Sequence, residues 1–435
     1  MTPEGKPPSP APPRRPQAAS TPRPRAIAAG HICLDLMPGL GNRPLDLRPG
    51  DLRITDGLTV STGGPVSNTG IALHRLGVPT RLVALVGDDP LGAVLRATLD
   101  AESPGLSDGL VISPGEGTSY SVILSSASTD RIVLHYPGAN DSFAAADLTD
   151  DALDRAELLH VGYPPLMRRL CEDDGRELEL MLRRARTRGL VTSLDMAEPD
   201  QRVGEVDWPA LLARVLPWVD VFCPSLGELG AMLGAKVGAA TSNLGSNSGS
   251  TSNSGSTPTS ASTPGSIERW DGSSEPDEGA VRTLAAEALR LGAGMVAIKM
   301  GAFGLYLRTG AQDRMAALAE RLGATERLPG LALPDWSDRE LWCPIYQVTV
   351  RGTTGSGDAT VAGFLTALLD RSDPIRALDM ACAVGSLCVE ADDAVSGIRG
   401  RAEAEERLTS SLPRPLPSLS EMWAQAGGSA VMERR

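Results

Sequence analysis

Short apolar runs alternate with longer amphipathic segments along most of the chain. "AIAAGHICLDL" begins as a buried strand, and "VSNTGIALHRLG" has helical spacing at Ile71, Leu73 and Leu76. "TRLVALVG", "AELLHVGY", "LVTSLDM", "VDVFCPS" and "GMVAIKMG" predict further strands, while "DGRELELMLRRARTRG", "DEGAVRTLAAEALRLG" and "GDATVAGFLTALLDR" predict helices among them. Apolar strands with little alternation, separated by helices, are covered on both faces, which predicts an α/β fold of three layers (α/β/α) around a mostly parallel central sheet. Two stretches depart from that pattern. "GDLRITDGLTVSTGG" and "TSYSVILSSASTDRIVLHYPG" read as antiparallel hairpins with Ser, Thr and Asp around their turns. A small β-lid from about 45–62 and 117–137 accommodates both, with extra edge strands as the alternative.

Composition divides the chain further. Residues 1–25 hold nine prolines and a local charge of +4, five basic residues less Glu4, and such a tail cannot bury a core. From Thr241 to Ser266 no residue is charged and Leu244 is the sole large apolar one, which predicts a flexible linker or loop insertion. The net charge of −13 argues against a general nucleic-acid or anionic-membrane partner. Six scattered cysteines without a CxxC pair read as reduced thiols of a cytoplasmic protein, and the four histidines have no metal spacing. No run of about 18 apolar residues is present to span a bilayer, and Arg14 and Arg15 are not followed by the apolar stretch of a secretory signal.

The stretch richest in chemistry is "GTTGSGDATVAGF", Gly352 to Phe364. "VTV" before it is a strand candidate, and Val361, Phe364, Leu365, Leu368 and Leu369 after it share one helix face. Gly355, Ser356 and Gly357 therefore fall at a helix N-terminus, where backbone N–H groups and the helix dipole favour an anion. Asp358 is the odd member. A carboxylate there is most often a cap, yet beside an anion hole it can also take the proton of a hydroxyl that attacks a phosphoryl group. The stretch is not a Walker A loop, since GxxxxGK[ST] is absent.

Other positions join it with less force. Asp35 follows the first strand, at the end where open α/β sheets bind ligands. Gly64 and Asn68 precede and open a helix in "GGPVSNTGIALHRLG". Glu228, in "CPSLGEL", could help hold Mg²⁺ through water, and Lys299, Gly301 and Gly304, in "AIKMGAFG", follow another strand within reach of a phosphate.

In this order the pieces resemble the ribokinase-like (PfkB) family of sugar and nucleoside kinases, over roughly Ala26 to Gly400. "GTTGSGDATVAGF" is similar to the family's C-terminal signature, [DN]TTGAGD before a helix. "GGPVSNTGIALHRLG" with "LVALVGDDPLG" is similar to the N-terminal one, and "GAN" at Gly138–Asn140 falls in the expected place. The resemblance implies a kinase domain over 26–405, interrupted at 241–266, with 406–435 as a C-terminal extension. It further implies transfer of the γ-phosphate of ATP to an alcohol, with Asp358 as the base and Gly355, Ser356 and Gly357 as the anion hole. Asp35, Gly64 and Asn68 would contact sugar hydroxyls, Glu228 would position Mg²⁺, and Lys299, Gly301 and Gly304 would line the nucleotide site. A small sugar or nucleoside is the implied partner. Lids of the family often pair into homodimers, while other members are monomeric.

Four departures stand out. Gly352 replaces an Asp or Asn that in many members belongs to a monovalent-cation loop, which argues against potassium activation. Ser225 replaces the Asn of the NxxE element, Ser356 a common Ala, and Thr360 a common Phe. The readings kept open are a sugar kinase, a nucleoside kinase and a non-catalytic sugar or nucleotide sensor. A Rossmann dehydrogenase is set aside because no GxGxxG opens a βαβ unit.

Overall fold

In the computed structural model of the chain, the described residues are 23–41, 49, 50, 52, 54–126, 129–199, 206–234, 272, 274–323 and 336–435. Most of the Pro-rich tail, the insertion at 241–266 and residues 45–48 of the expected lid lie outside them. The strands, in chain order, are β1 (Ala26–Gly30), β2 (Cys33–Pro38), β3 (Leu58–Gly63), β4 (Thr80–Val83), β5 (Leu85–Gly87), β6 (Val111–Ser113), β7 (Tyr120–Ser126), β8 (Thr129–Tyr136), β9 (Leu158–Gly162), β10 (Val191–Asp195), β11 (Val221–Phe222), β12 (Met295–Lys299), β13 (Leu305–Thr309), β14 (Glu340–Cys343), β15 (Trp423–Gln425) and β16 (Met432–Arg434).

Ten of these form one sheet in the order β15-β16-β14-β13-β12-β11-β10-β9-β1-β4. Its half from β4 to β12 is parallel, and the half from β13 to β15 is antiparallel. β1, β9 and β10 are buried at every position, including His160 of β9 and Thr192, Ser193 and Asp195 of β10. The last strands come from the C-terminal segment, so residues 423–434 complete the sheet's edge. A second sheet of four strands, β3-β2-β7-β8, stands apart, with β2 antiparallel to β3 and parallel to β7. Among the described residues no helix is long and apolar enough to cross a membrane.

Two sequence expectations need correction, and the buried strand that begins "AIAAGHICLDL" is present but short. "AIAAGHICLDL" is two strands: Gly30, at φ +119°, breaks the run, so β1 stays in the main sheet while β2 crosses to the small one. "TRLVALVG" divides in the same way into β4 and β5. "VTV" is no strand, because β14 ends at Cys343 and Pro344 offers no N–H to continue a ladder. The turn at Gly352 is entered from that irregular segment, and Arg351 N–H bonds the Val389 carbonyl at 2.8 Å.

Two helices meet over the parallel strands. The helix Ser356–Leu369 is buried at 11 of its 14 residues, so its apolar face widens to nearly the whole circumference. It packs against Pro65–Arg75, and this contact brings the two glycine-rich turns of the sequence to one place.

Candidate active site

Asp358 lies in the first turn of the Ser356–Leu369 helix and is 1% exposed. Gly355 opens that helix at φ +73°, a left-handed conformation that admits glycine without strain, and a Cβ there would meet the Ala394 Cβ at 2.4 Å. Of the three expected anion donors, the Ser356 N–H already bonds the Thr353 carbonyl at 3.3 Å. Asn68, from the neighbouring helix, donates through Nδ2 to Asp358 Oδ2 at 2.9 Å. Asp358 Oδ1 and Asn68 Oδ1 are both buried without a hydrogen-bond partner. Burial, reinforced by the Asp195 carboxylate, raises Asp358 to about 6, against the pull of Asn68, Lys299 and the nearby Tyr163 hydroxyl.

Lys299, the last residue of β12, binds Asp195 Oδ1 at 2.5 Å, with side chains 12% and 0% exposed. Burial alone would depress the ammonium, but the Asp195 and Glu228 carboxylates outweigh it and hold the group charged. The ammonium is 3.5 Å from the point where a Cβ on Gly357 would stand, so glycine leaves this cation open to the helix N-terminus. Asp195 Oδ2 has no partner. Glu228 takes the Ser225 N–H at 2.7 Å while Ser225 Oγ accepts the Glu228 N–H at 3.2 Å, a capping box opening the helix Leu226–Leu233. Burial raises this carboxyl to about 7 despite Lys299.

The remaining expected residues fall around this centre. Asp35 is in β2, 8% exposed, and faces Gly63, whose Cβ would lie 2.3 Å from its Oδ2. Cys33 links it to the centre: burial first, then Asp35 and more weakly Asp358, push that thiol well up. Gly64 packs on His31, where a Cβ would reach Nδ1 at 2.5 Å. Gly304, at φ +94°, lets the β12–β13 turn approach β14, since a Cβ would strike the Cys343 carbonyl at 2.1 Å. Gly301 faces open space. Asn140 of "GAN" clamps the β1–β2 turn through the N–H and C=O of Ile32, at 3.3 and 2.9 Å.

Three groups near this centre escaped the sequence reading. Asp195 ends β10 as Lys299 ends β12, and the strand-end rule that selected Asp35 would have found it. Tyr163 follows β9 at φ +60°, a strained conformation for a side-chain-bearing residue, and burial first, then the Asp358, Asp195 and Glu228 carboxylates, push its phenol well up. His31 carries no motif, and burial with His135 beside it lowers it to about 3.

A parallel sheet with buried carboxylates and a lysine at its carboxyl ends, beside a helix N-terminus, has the chemistry to receive an anionic ligand next to a proton acceptor. The profile of the pfkB family carbohydrate kinases matches residues 35–251 and 330–399, and the chain belongs to that family. The fructokinase of Rhizobium leguminosarum bv. trifolii is 33% identical over 178 residues, 40% of this chain and 52% of that enzyme. The chain thus spans about half the length of that relative. An uncharacterized sugar kinase of Archaeoglobus fulgidus is 22% identical over 75% of this chain and 98% of its own. Ribokinase of Arabidopsis thaliana, solved with ribose and ATP, has a TM-score of 0.61 at 18% identity, covering 89% of this chain and 99% of that one. Fructokinase of Xylella fastidiosa with bound ATP gives 0.59 at 19% identity, over 88% and 98%. These likenesses make the fold ribokinase-like.

Proposed function

We propose that the protein transfers the γ-phosphate of ATP to a hydroxyl group of a sugar. The observation that carries this reading is the Asp358 carboxylate, buried at a helix N-terminus with one oxygen held by Asn68 and the other unpartnered. Leaving a buried carboxylate oxygen unbonded costs folding free energy, and a substrate hydroxyl in that place would recover it. As the hydroxyl oxygen forms its bond to the γ-phosphorus and the bond to ADP breaks, the proton passes to Asp358 Oδ1. Backbone N–H groups after Gly355 and the Lys299 ammonium face the transferred charge. Asp35, Gly64 and the open Oδ1 of Asn68 orient the sugar.

Mg²⁺ fits the residues present, since Glu228 and Asp195 offer hard oxygen donors and Asp195 Oδ2 lacks any partner. When bound, the ion neutralises phosphate charge. Gly301 and Gly304 border the nucleotide beyond Lys299. The small sheet serves as the lid: it carries Asp35, and its outer residues Leu58, Leu134 and Tyr136 are 59, 56 and 44% exposed, a face on which two copies would pair.

The test is ADP release with Mg-ATP across neutral sugars, sugar acids, sugar phosphates and nucleosides, with the product identified by mass. A phosphorylated sugar supports the reading. Phosphorylation of nucleosides alone transfers it to a nucleoside kinase, and ATP binding without any turnover overturns it.

A further inference from the structure

Beside the proposed acceptor site, three side chains meet that the kinase chemistry does not use. His31, in the turn after β1, and Cys33, in β2, are 2% and 3% exposed. His135 reaches them from β8, and its Nε2 lies 3.2 Å from His31 Nε2. One ligand atom from each residue stands within 4.8 Å of the other two. Two imidazole nitrogens bound to one tetrahedral zinc ion at 2.0–2.1 Å are separated by about 3.3 Å, so the two rings already hold that spacing. Outside the trio, His135 Nδ1 contacts Ser121 Oγ at 3.0 Å, the kind of partner that fixes the orientation of a metal-bound imidazole.

We propose that His31, Cys33 and His135 form a binding site for a thiophilic divalent ion of the zinc class, which ties the small sheet to the main sheet beside Asp35. Hard cations such as Mg²⁺ are excluded by the donor set, two nitrogens and a sulfur. In the metal-free protein the two Nε2 atoms share one proton. On binding, the ring that carried it shifts its single hydrogen from Nε2 to Nδ1, both Nε2 lone pairs turn to the ion, and Cys33 binds as thiolate. One proton, from the thiol, is released per ion. The fourth position of a tetrahedral ion is left to water. Asp35 Oδ1 accepts from the Cys33 thiol at 3.5 Å in the metal-free protein, and that hydrogen bond is given up when Cys33 binds as thiolate. Because the three ligands come from β2, β8 and the β1–β2 turn, occupancy would hold the sheet that carries Asp35 in one orientation.

The experiment is titration of the chelator-stripped full-length protein with Zn²⁺ by calorimetry and with Co²⁺ by absorption. The expected result is one ion per chain, a thiolate-to-cobalt charge-transfer band, and a rise in Tm on adding Zn²⁺. Cys33→Ser should abolish the band, and Ser121→Ala should weaken binding about tenfold or more. Cys171→Ser and Asp358→Asn should leave both unchanged, which separates this site from other thiols and from the kinase reading. Absence of stoichiometric binding by the wild-type chain overturns the proposal whatever the variants do. Binding that survives in correctly folded Cys33→Ser and His135→Gln overturns it as well, and leaves the two rings as a hydrogen-bonded pair.

Discussion

Asp220 and Asp195 stand at opposite ends of the same pair of strands, and the protein treats them differently. Asp220, just before β11, is 1% exposed and fully engaged: Arg321 binds Oδ1 at 2.5 Å, and the N–H and Oγ1 of Thr192 reach Oδ2 at 3.0 and 3.2 Å. Asp195, at the carboxyl end of β10, has Lys299 on one oxygen and nothing on the other, and Asp358 beside it repeats the pattern. A buried carboxylate with every lone pair used holds strands together. One with an oxygen left open keeps a place for a ligand at a cost in stability.

Breaking the contrast at Asp358 should have the largest effect. Asp358→Asn should lower kcat by about 10²–10⁴-fold. The same change should raise stability near neutral pH. The folded carboxyl, at about 6 against 3.8, binds protons more tightly than the unfolded one, so its burial cost is present above about pH 6 and vanishes below about 3.8. Relief of that cost is about 2–3 kcal/mol in urea unfolding near pH 7.5. Asp220→Ala should do the reverse, since stranding Arg321 in the interior costs about 3–5 kcal/mol. Its kcat, measured below the new Tm, should stay within about twofold of wild type if this end of the sheet is structural. Lys299→Met sharpens the comparison by joining both outcomes: it leaves Asp195 buried without its cation, so stability falls by a few kcal/mol, and the KM for ATP rises. The smallest effect is expected of Ser225→Ala, about 1 kcal/mol of helix capping, whereas Ser225→Asn should keep the cap and restore the family's residue.

How far the sequence carried this arrangement differs from one residue to the next. The turn at Gly355–Asp358 was legible because glycines, a carboxylate and a helical apolar pattern are contiguous there. Lys299 and Glu228 were legible by their places after apolar strands, although their shared environment with Asp195 was not. Asp195 was open to the same strand-end reading, since it closes the strand in "LVTSLDM". The contact between Asn68 and Asp358 joins residues 290 positions apart and follows from the packing of two helices. His31 and His135, 104 positions apart, met only when β2 left the main sheet, and the apolar pattern of "AIAAGHICLDL" does not signal that break.

The central claim is that the open, raised carboxylate of Asp358 is the base, and the pH profile of kcat/KM with the preferred acceptor tests it most directly. Between about pH 5 and 8 the account predicts a plateau that falls tenfold per unit below about pH 6, as one proton occupies Asp358, while Asp358→Asn stays low and flat. A wild-type profile level through that range, or an Asp358→Asn variant with wild-type turnover, would contradict it.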